Sequence, residues 1–210
     1  LSNAHGVRSV TLALTGASGM PYALRLLEGL LEAQVQVFLL LSQPARVVIA
    51  METELQLSSR RADIERSLNQ RYGAGEGQLR VLGLEQWTAP VASGSGVADA
   101  MVICPCTTGT LAAVAAGASR SLIERAADVS LKEQRPLLLV VRETPLSLIQ
   151  LENMARLARA GAVVMPANPA FYHRPASIDD LVDFVVARIL DHLGIEHQLV
   201  PRWGSGDSAD

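Results

Sequence analysis

Aromatic residues are scarce in this 210-residue chain, at 4%, and there are only two cysteines. With so few rings the core must be built from Ala, Val and Leu, within the 49% of residues that are hydrophobic. No apolar run approaches the roughly 18–20 residues of a membrane span. A mean hydropathy of +0.24 therefore implies a large core and apolar surface buried between subunits, and an oligomer is expected. Positive charge is not in excess. With a net charge of −3, nothing suggests a surface for nucleic acid or an acidic membrane. No basic, apolar, small-residue leader opens the chain, so a cytoplasmic location is expected. Cys104 and Cys106 lie two residues apart, where a disulfide would be badly strained and a metal would need further ligands. His5, His173, His192 and His197 show no metal-pair spacing, and no Ser-His-Asp order stands out. Lysine is nearly absent: Lys132 is the one lysine among 18 lysines and arginines. Either a compact, rotatable ammonium is needed there, or a single lysine has survived a compositional bias.

What is present is an alternation of apolar runs and helical patterns. Short apolar runs at 10–14, 35–41, 101–104, 137–141 and 163–165 read as buried strands. Helical spacing marks 21–33, 45–51, 111–118, 121–132, 147–160 and 178–193, and the polar, Arg-rich stretch 54–80 reads as a helix with loose ends. Residues 92–96, Ala-Ser-Gly-Ser-Gly, read as a loop. The length suits one domain. The expectation is a single doubly wound α/β domain with a parallel sheet over residues 9–203. Residues 1–8 form a lead-in, in which Ser2-Asn3-Ala4 matches a cleaved-tag remnant, and 204–210 a disordered polar tail.

In such sheets ligands sit beyond the carboxyl ends of the strands. Ser18, Ser42, Thr107–Thr110, Arg142-Glu143 and Tyr172 all fall there. The turn Thr15-Gly-Ala-Ser-Gly19 is not the G-x-G-x-x-G fingerprint, so a nicotinamide cofactor is poorly supported. It suits a tight strand-to-helix turn whose amides face an anion or flat ring, or simply a tight turn. Thr107-Thr-Gly-Thr110 opens a helix and suits a phosphate, a helix cap, or both. Leu122, Arg125, Val129 and Lys132 share one helix face: two cations with snorkelling stems, or two cations aimed into an anion pocket. Arg188 is spaced among core positions, where a charge needs a salt bridge or an anionic substrate. Glu143, if set among cations and a phosphate, is placed to transfer protons; alone it is a solvated strand end. Asp179-Asp-Leu-Val-Asp183 has the form of a magnesium–pyrophosphate box. Ser177 as N-cap with acidic residues in the first turn is the simpler account, and no metal is expected.

Taken together, TGASG, LLLSQPA, ASGSG, VICPCTTGTLAAVAAG, SLIERAADVSLKE, PLLLVVRETPLS, LENMARLARAGAVVMPANPAFYHRP and DLVDFVVARILDHLGI resemble the UbiX-type flavin prenyltransferases from about Val10 to Trp203. The resemblance implies a flavodoxin-like (Rossmann-like) fold of the flavin-binding decarboxylase superfamily. It implies metal-free transfer of the dimethylallyl group of dimethylallyl monophosphate to N5 and C6 of reduced FMN. The product, prenylated FMN, would serve a UbiD-type decarboxylase, and the assembly would be a dodecamer with flavin between subunits. Carried over, Gly16, Ala17, Ser18, Ser42, Thr107, Thr108, Gly109, Thr110 and Arg142 hold FMN. Thr107 stands where the family often has Ser, and the hydroxyl is kept. Tyr172 and Arg188 hold the donor phosphate, with Arg125 and Lys132 nearby. Ser18, Lys132 and Glu143 carry chemistry. Trp203 is a weaker candidate for facing the allylic cation. The rival readings are an FMN-dependent cysteine decarboxylase, which would need a histidine that residues 43–60 lack, and a non-catalytic FMN carrier.

Overall fold

A computed structural model describes residues 6–201. The tag remnant, Trp203 and the tail at 204–210 lie outside the described residues. Six parallel strands form one sheet: β1 (Ser9–Leu14), β2 (Gln36–Leu41), β3 (Leu79–Leu82), β4 (Ala100–Cys106), β5 (Leu137–Val141) and β6 (Val163–Pro166). Their order is β3-β2-β1-β4-β5-β6. Successive strands are added to one side of β1 up to β3 and to the other side from β4 onward, which makes the crevice beyond the carboxyl ends of β1 and β4 the switch point of the sheet. Seven helices cover the faces among the described residues: α1 (Met20–Glu32), α2 (Gln43–Glu52), α3 (Arg61–Tyr72), α4 (Thr108–Ala115), α5 (Leu122–Lys132), α6 (Leu148–Arg159) and α7 (Ile178–Leu193). None of them is long and apolar enough to cross a membrane.

The strands read as continuous apolar runs because both faces are covered. Val10, Leu12 and Leu14 of β1 pack with Leu26, Leu30, Val186 and Ile189 of α1 and α7. Ala13 faces the other core, with Ile103, Leu111, Ala126 and Leu139. Cys104 belongs to the first core and Cys106 to the second. The pairing of β4 with β5 shifts register between Ile103 and Cys106, at Pro105, which has no N–H for the ladder. Both thiols are free and buried, and burial raises both pKa values, that of Cys106 to about 12.

The helix starts follow from short polar side chains. Ser42, Thr107, Ser121, Ser147 and Ser177 each accept a backbone amide from the first turn of the helix that follows. Ser177 and Asp180 form a reciprocal capping box, and Asp183 pairs with Arg25 of α1 at 2.7 Å. The aspartate run is thus a helix start in which the Asp180 and Asp183 carboxylates are engaged. One expectation fails. The stretch 54–80, expected as a helix with loose ends, holds α-helix only at Arg61–Tyr72, and its last two residues open β3. With four residues, one of them the exposed Arg80, β3 is too short to show a period. Pairing with β2 makes it a strand.

Candidate active site

The small residues of the first turn have distinct reasons. A Cβ on Gly16 would lie 2.4 Å from Cβ of Pro44, so only glycine lets the start of α2 approach this turn. Gly19 sits at φ 116°, a left-handed conformation, as the N-cap of α1. The buried Thr15 hydroxyl ties the two switch-point loops together. It donates to the Pro105 carbonyl at 2.7 Å and accepts from the Thr107 amide at 2.8 Å.

Gly19 has no side chain with which to cap α1. The carboxylate comes from Glu52, at the far end of α2. Its Oε2 accepts from the amides of Gly19 and Met20, both at 2.9 Å. Burial pushes the pKa of Glu52 up, but the Ser18 hydroxyl, these two amides and the nearby Arg142 charge outweigh it and hold the carboxyl below its ordinary value. Arg142, at the end of β5, donates from Nε to the Ser18 carbonyl at 3.2 Å. Ser18, Glu52 and Arg142 therefore form one cluster on the turn. Sequence reasoning missed Glu52. Its signal was indirect: a helix start without a capping side chain, and a carboxylate ending another helix, where its own dipole disfavours it.

Beside this cluster lies a cleft of about 420 Å³, lined by Thr15, Gly16, Ser42, Pro44, Thr107 and Thr110 among others. The Thr107 hydroxyl accepts from the Thr110 amide at 3.1 Å and donates to the Thr110 hydroxyl at 2.9 Å. That leaves the first amides of α4, at Thr108 and Gly109, without partners inside the helix. A Cβ on Gly109 would meet nothing within 4 Å, so the helix start is open on that side. The size of the cleft and the open helix N-terminus fit a flat ring carrying a phosphate.

The remaining expected residues sit elsewhere on the chain. Ser121 at the head of α5 lines the cleft, but Lys132 at its tail is about 15 Å further along the axis. Lys132 pairs with Glu133 there, against the turn containing Gly94, where an added Cβ would lie 3.0 Å from its Nζ. Arg125 donates to the Ala92 carbonyl at 3.0 Å and pairs with Asp128 at 2.8 Å. Glu143 is exposed, accepts from the Thr144 amide at 3.1 Å and lines a groove of about 430 Å³ with Arg142, Met154 and Asn168. Tyr172 packs edge-on against His173 and Phe184, each at 5.8 Å between centroids. Phe184 shares a groove of about 290 Å³ along the edge strand β6 with Arg188. Arg188 is not a core charge: its side chain is 52% exposed and pairs with Asp191 at 2.7 Å. The helix turns its apolar stripe, Val182, Val185, Val186 and Ile189, towards the sheet and leaves Arg188 outside it.

Comparison with known proteins gives a consistent result. A family model described as Flavoprotein matches residues 2–190. Flavin prenyltransferase UbiX of Pseudomonas aeruginosa is 55% identical over 199 residues, which cover 95% of each chain. The solved structure of AnUbiX (PadA1) in complex with FMN and dimethylallyl pyrophosphate matches with a TM-score of 0.85 at 39% identity, covering 96% of this chain and all of that one. A dodecameric FMN-dependent UbiX-like decarboxylase from Escherichia coli O157:H7 matches with a TM-score of 0.82 at 38% identity, covering 93% of this chain and 98% of that one.

Proposed function

The chain belongs to the flavoprotein family, among the UbiX flavin prenyltransferases, and from that membership we propose how its residues share the work of joining a dimethylallyl group to reduced FMN. Dimethylallyl monophosphate is the donor, phosphate leaves, and the new bonds are at N5 and C6. The observation that carries this reading over a mere flavin carrier is the cluster of Ser18, Glu52 and Arg142 on the first turn. A carrier needs an anion cradle, but not a hydroxyl coupled to an ionised carboxylate.

Gly16, Ala17, Ser18, Ser42, Thr107, Thr108, Gly109, Thr110 and Arg142 hold the flavin. The tight turn lets the ring approach backbone, and the open start of α4 receives a phosphate. Bound reduced FMN supplies the nucleophilic nitrogen and ring carbon. Breaking the allylic C–O bond builds charge on the donor phosphate, and Arg125, Lys132, Arg188 and the Tyr172 phenol are the groups to stabilise it in a site closed to water. Holding the donor against the ring supplies the proximity contribution. Ser18, with Glu52 behind it, moves the proton released on that side, and Glu143 serves the other side of the site.

None of Arg125, Lys132, Tyr172 and Arg188 lines the cleft beside the first turn, so we assign the complete site to an oligomer in which different copies supply the two sets. A dodecamer is the form the resemblance implies. The product passes to a UbiD-type decarboxylase. Free, buried Cys104 and Cys106 suit a reducing compartment, and we assign the activity to the cytoplasm. The donor set gives the test. Lys132→Ala and Glu143→Gln are expected to lower the rate of prenyl transfer while FMN titration stays unchanged. Wild-type rates in both variants would remove these residues from the chemistry.

A further inference from the structure

Beyond α7 the chain turns back and contributes one more group to the donor side. Asp191 uses both carboxylate oxygens. Its Oδ2 accepts from Nη1 of Arg188 at 2.7 Å, and its Oδ1 is 3.2 Å from Nε2 of His197. The other His197 nitrogen, Nδ1, accepts from the Leu199 amide at 3.3 Å. That bond fixes the tautomer: the proton sits on Nε2 and is donated to Asp191. The His197 side chain is only 11% exposed. Its segment is pinned on both sides, by the buried Ile195 and by Leu199 packed against the core.

An exposed i,i+3 ion pair on a helix contributes only about 0.3–0.5 kcal/mol and leaves two flexible side chains. Arg188 and Asp191 alone would be such a pair. His197 changes this, because its ring is anchored and holds the second carboxylate oxygen. Asp191 then has one orientation, and it occupies only one of the five guanidinium N–H donors of Arg188. Among the described residues the other four make no hydrogen bond and can meet an oxyanion. A guanidinium held in place before binding loses less freedom when the anion arrives.

The geometry points to Asp191, itself held by His197, as a positioning residue for Arg188 in recognition of the prenyl phosphate. This rests on the assignment of Arg188 to the donor phosphate. The experiment is steady-state kinetics of the full chain with varied dimethylallyl monophosphate at saturating reduced FMN. The variants are Asp191→Ala, His197→Leu, His197→Gln, Arg188→Ala and the Asp191→Ala/Arg188→Ala double, with FMN affinity and melting temperature measured for each. Asp191→Ala is expected to raise KM for the donor about three- to tenfold, with a smaller effect on kcat and none on FMN affinity. His197→Leu should move KM in the same direction. His197→Gln, which keeps a donor near the place of Nε2, should restore it. The double variant should be no worse than Arg188→Ala alone. A normal or lowered KM in Asp191→Ala, with Arg188→Ala impaired, overturns the proposal and leaves the Arg188 assignment standing. Additive losses in the double variant also overturn it. Normal donor kinetics in Arg188→Ala overturn both.

Discussion

Replacing Glu52 by Gln separates the two roles this carboxylate has at the first turn. The amides of Gly19 and Met20 both bond to the same oxygen, Oε2, at 2.9 Å. A Gln side chain keeps one carbonyl oxygen and so keeps this cap. What it loses is the capacity to take a proton from the Ser18 hydroxyl. Glu52→Gln should therefore fold and bind FMN with unchanged affinity, and melt between wild type and Glu52→Ala, because it keeps the capping oxygen but not the charge that the two amides, Ser18 and Arg142 favour. Its kcat for prenyl transfer should fall by about 10²-fold or more, the lower end of general acid–base contributions, or about 2.7 kcal/mol of barrier. Glu52→Ala removes the cap as well. A lost cap costs about 1 kcal/mol, or about 2–4 °C in melting temperature for a chain of this size. The pH dependence follows from the sign of the shift. The folded-state pKa of Glu52 lies below its ordinary value. Its contribution to stability is therefore present above the unfolded-state pKa and is lost as pH falls through the folded one. The stability gap between wild type and Glu52→Ala should shrink as the solution is acidified below about pH 4. Differential scanning fluorimetry across pH and stopped-flow flavin absorbance supply the readouts. A wild-type kcat in Glu52→Gln would refute the proton-transfer reasoning.

Two further outcomes follow from the packing. Gly16→Ala forces a methyl to within 2.4 Å of the Pro44 ring. It should cost about 1–3 kcal/mol and abolish FMN binding by fluorescence titration, and Pro44→Gly in that background should recover part of both. Cys104 and Cys106 are fully buried, with thiol pKa values raised by desolvation. Neither should react with iodoacetamide in the native protein at pH 8, and both should react in denaturant; native labelling would contradict the buried β4.

The fold was largely legible because each strand buried on both faces reads as an apolar run. Leu137–Val141 and Ile178–Leu193 emerge with the boundaries their sequence patterns imply. The exception, β3, is fixed by its pairing with β2 rather than by four residues of pattern. The site was legible where backbone geometry constrains residue type, as at Gly16 and Gly19, or where a helix needs a cap, as at Thr107. Glu52 was hidden because its partner turn is 33 residues away, and no local pattern records that distance. Arg188 reads as a core charge from its spacing, yet the curvature of α7 around its apolar stripe leaves it exposed beside Asp191. Lys132 shares a helix face with Arg125 as the spacing implies. What the spacing does not record is the path of α5, which carries Lys132 about 15 Å along the axis from the cleft-lining Ser121.

The most direct test of the account is the mass of the flavin recovered after anaerobic incubation of the protein with reduced FMN and dimethylallyl monophosphate. The account predicts FMN heavier by one five-carbon prenyl unit. Recovery of unmodified FMN, with binding of both ligands demonstrated, would contradict it.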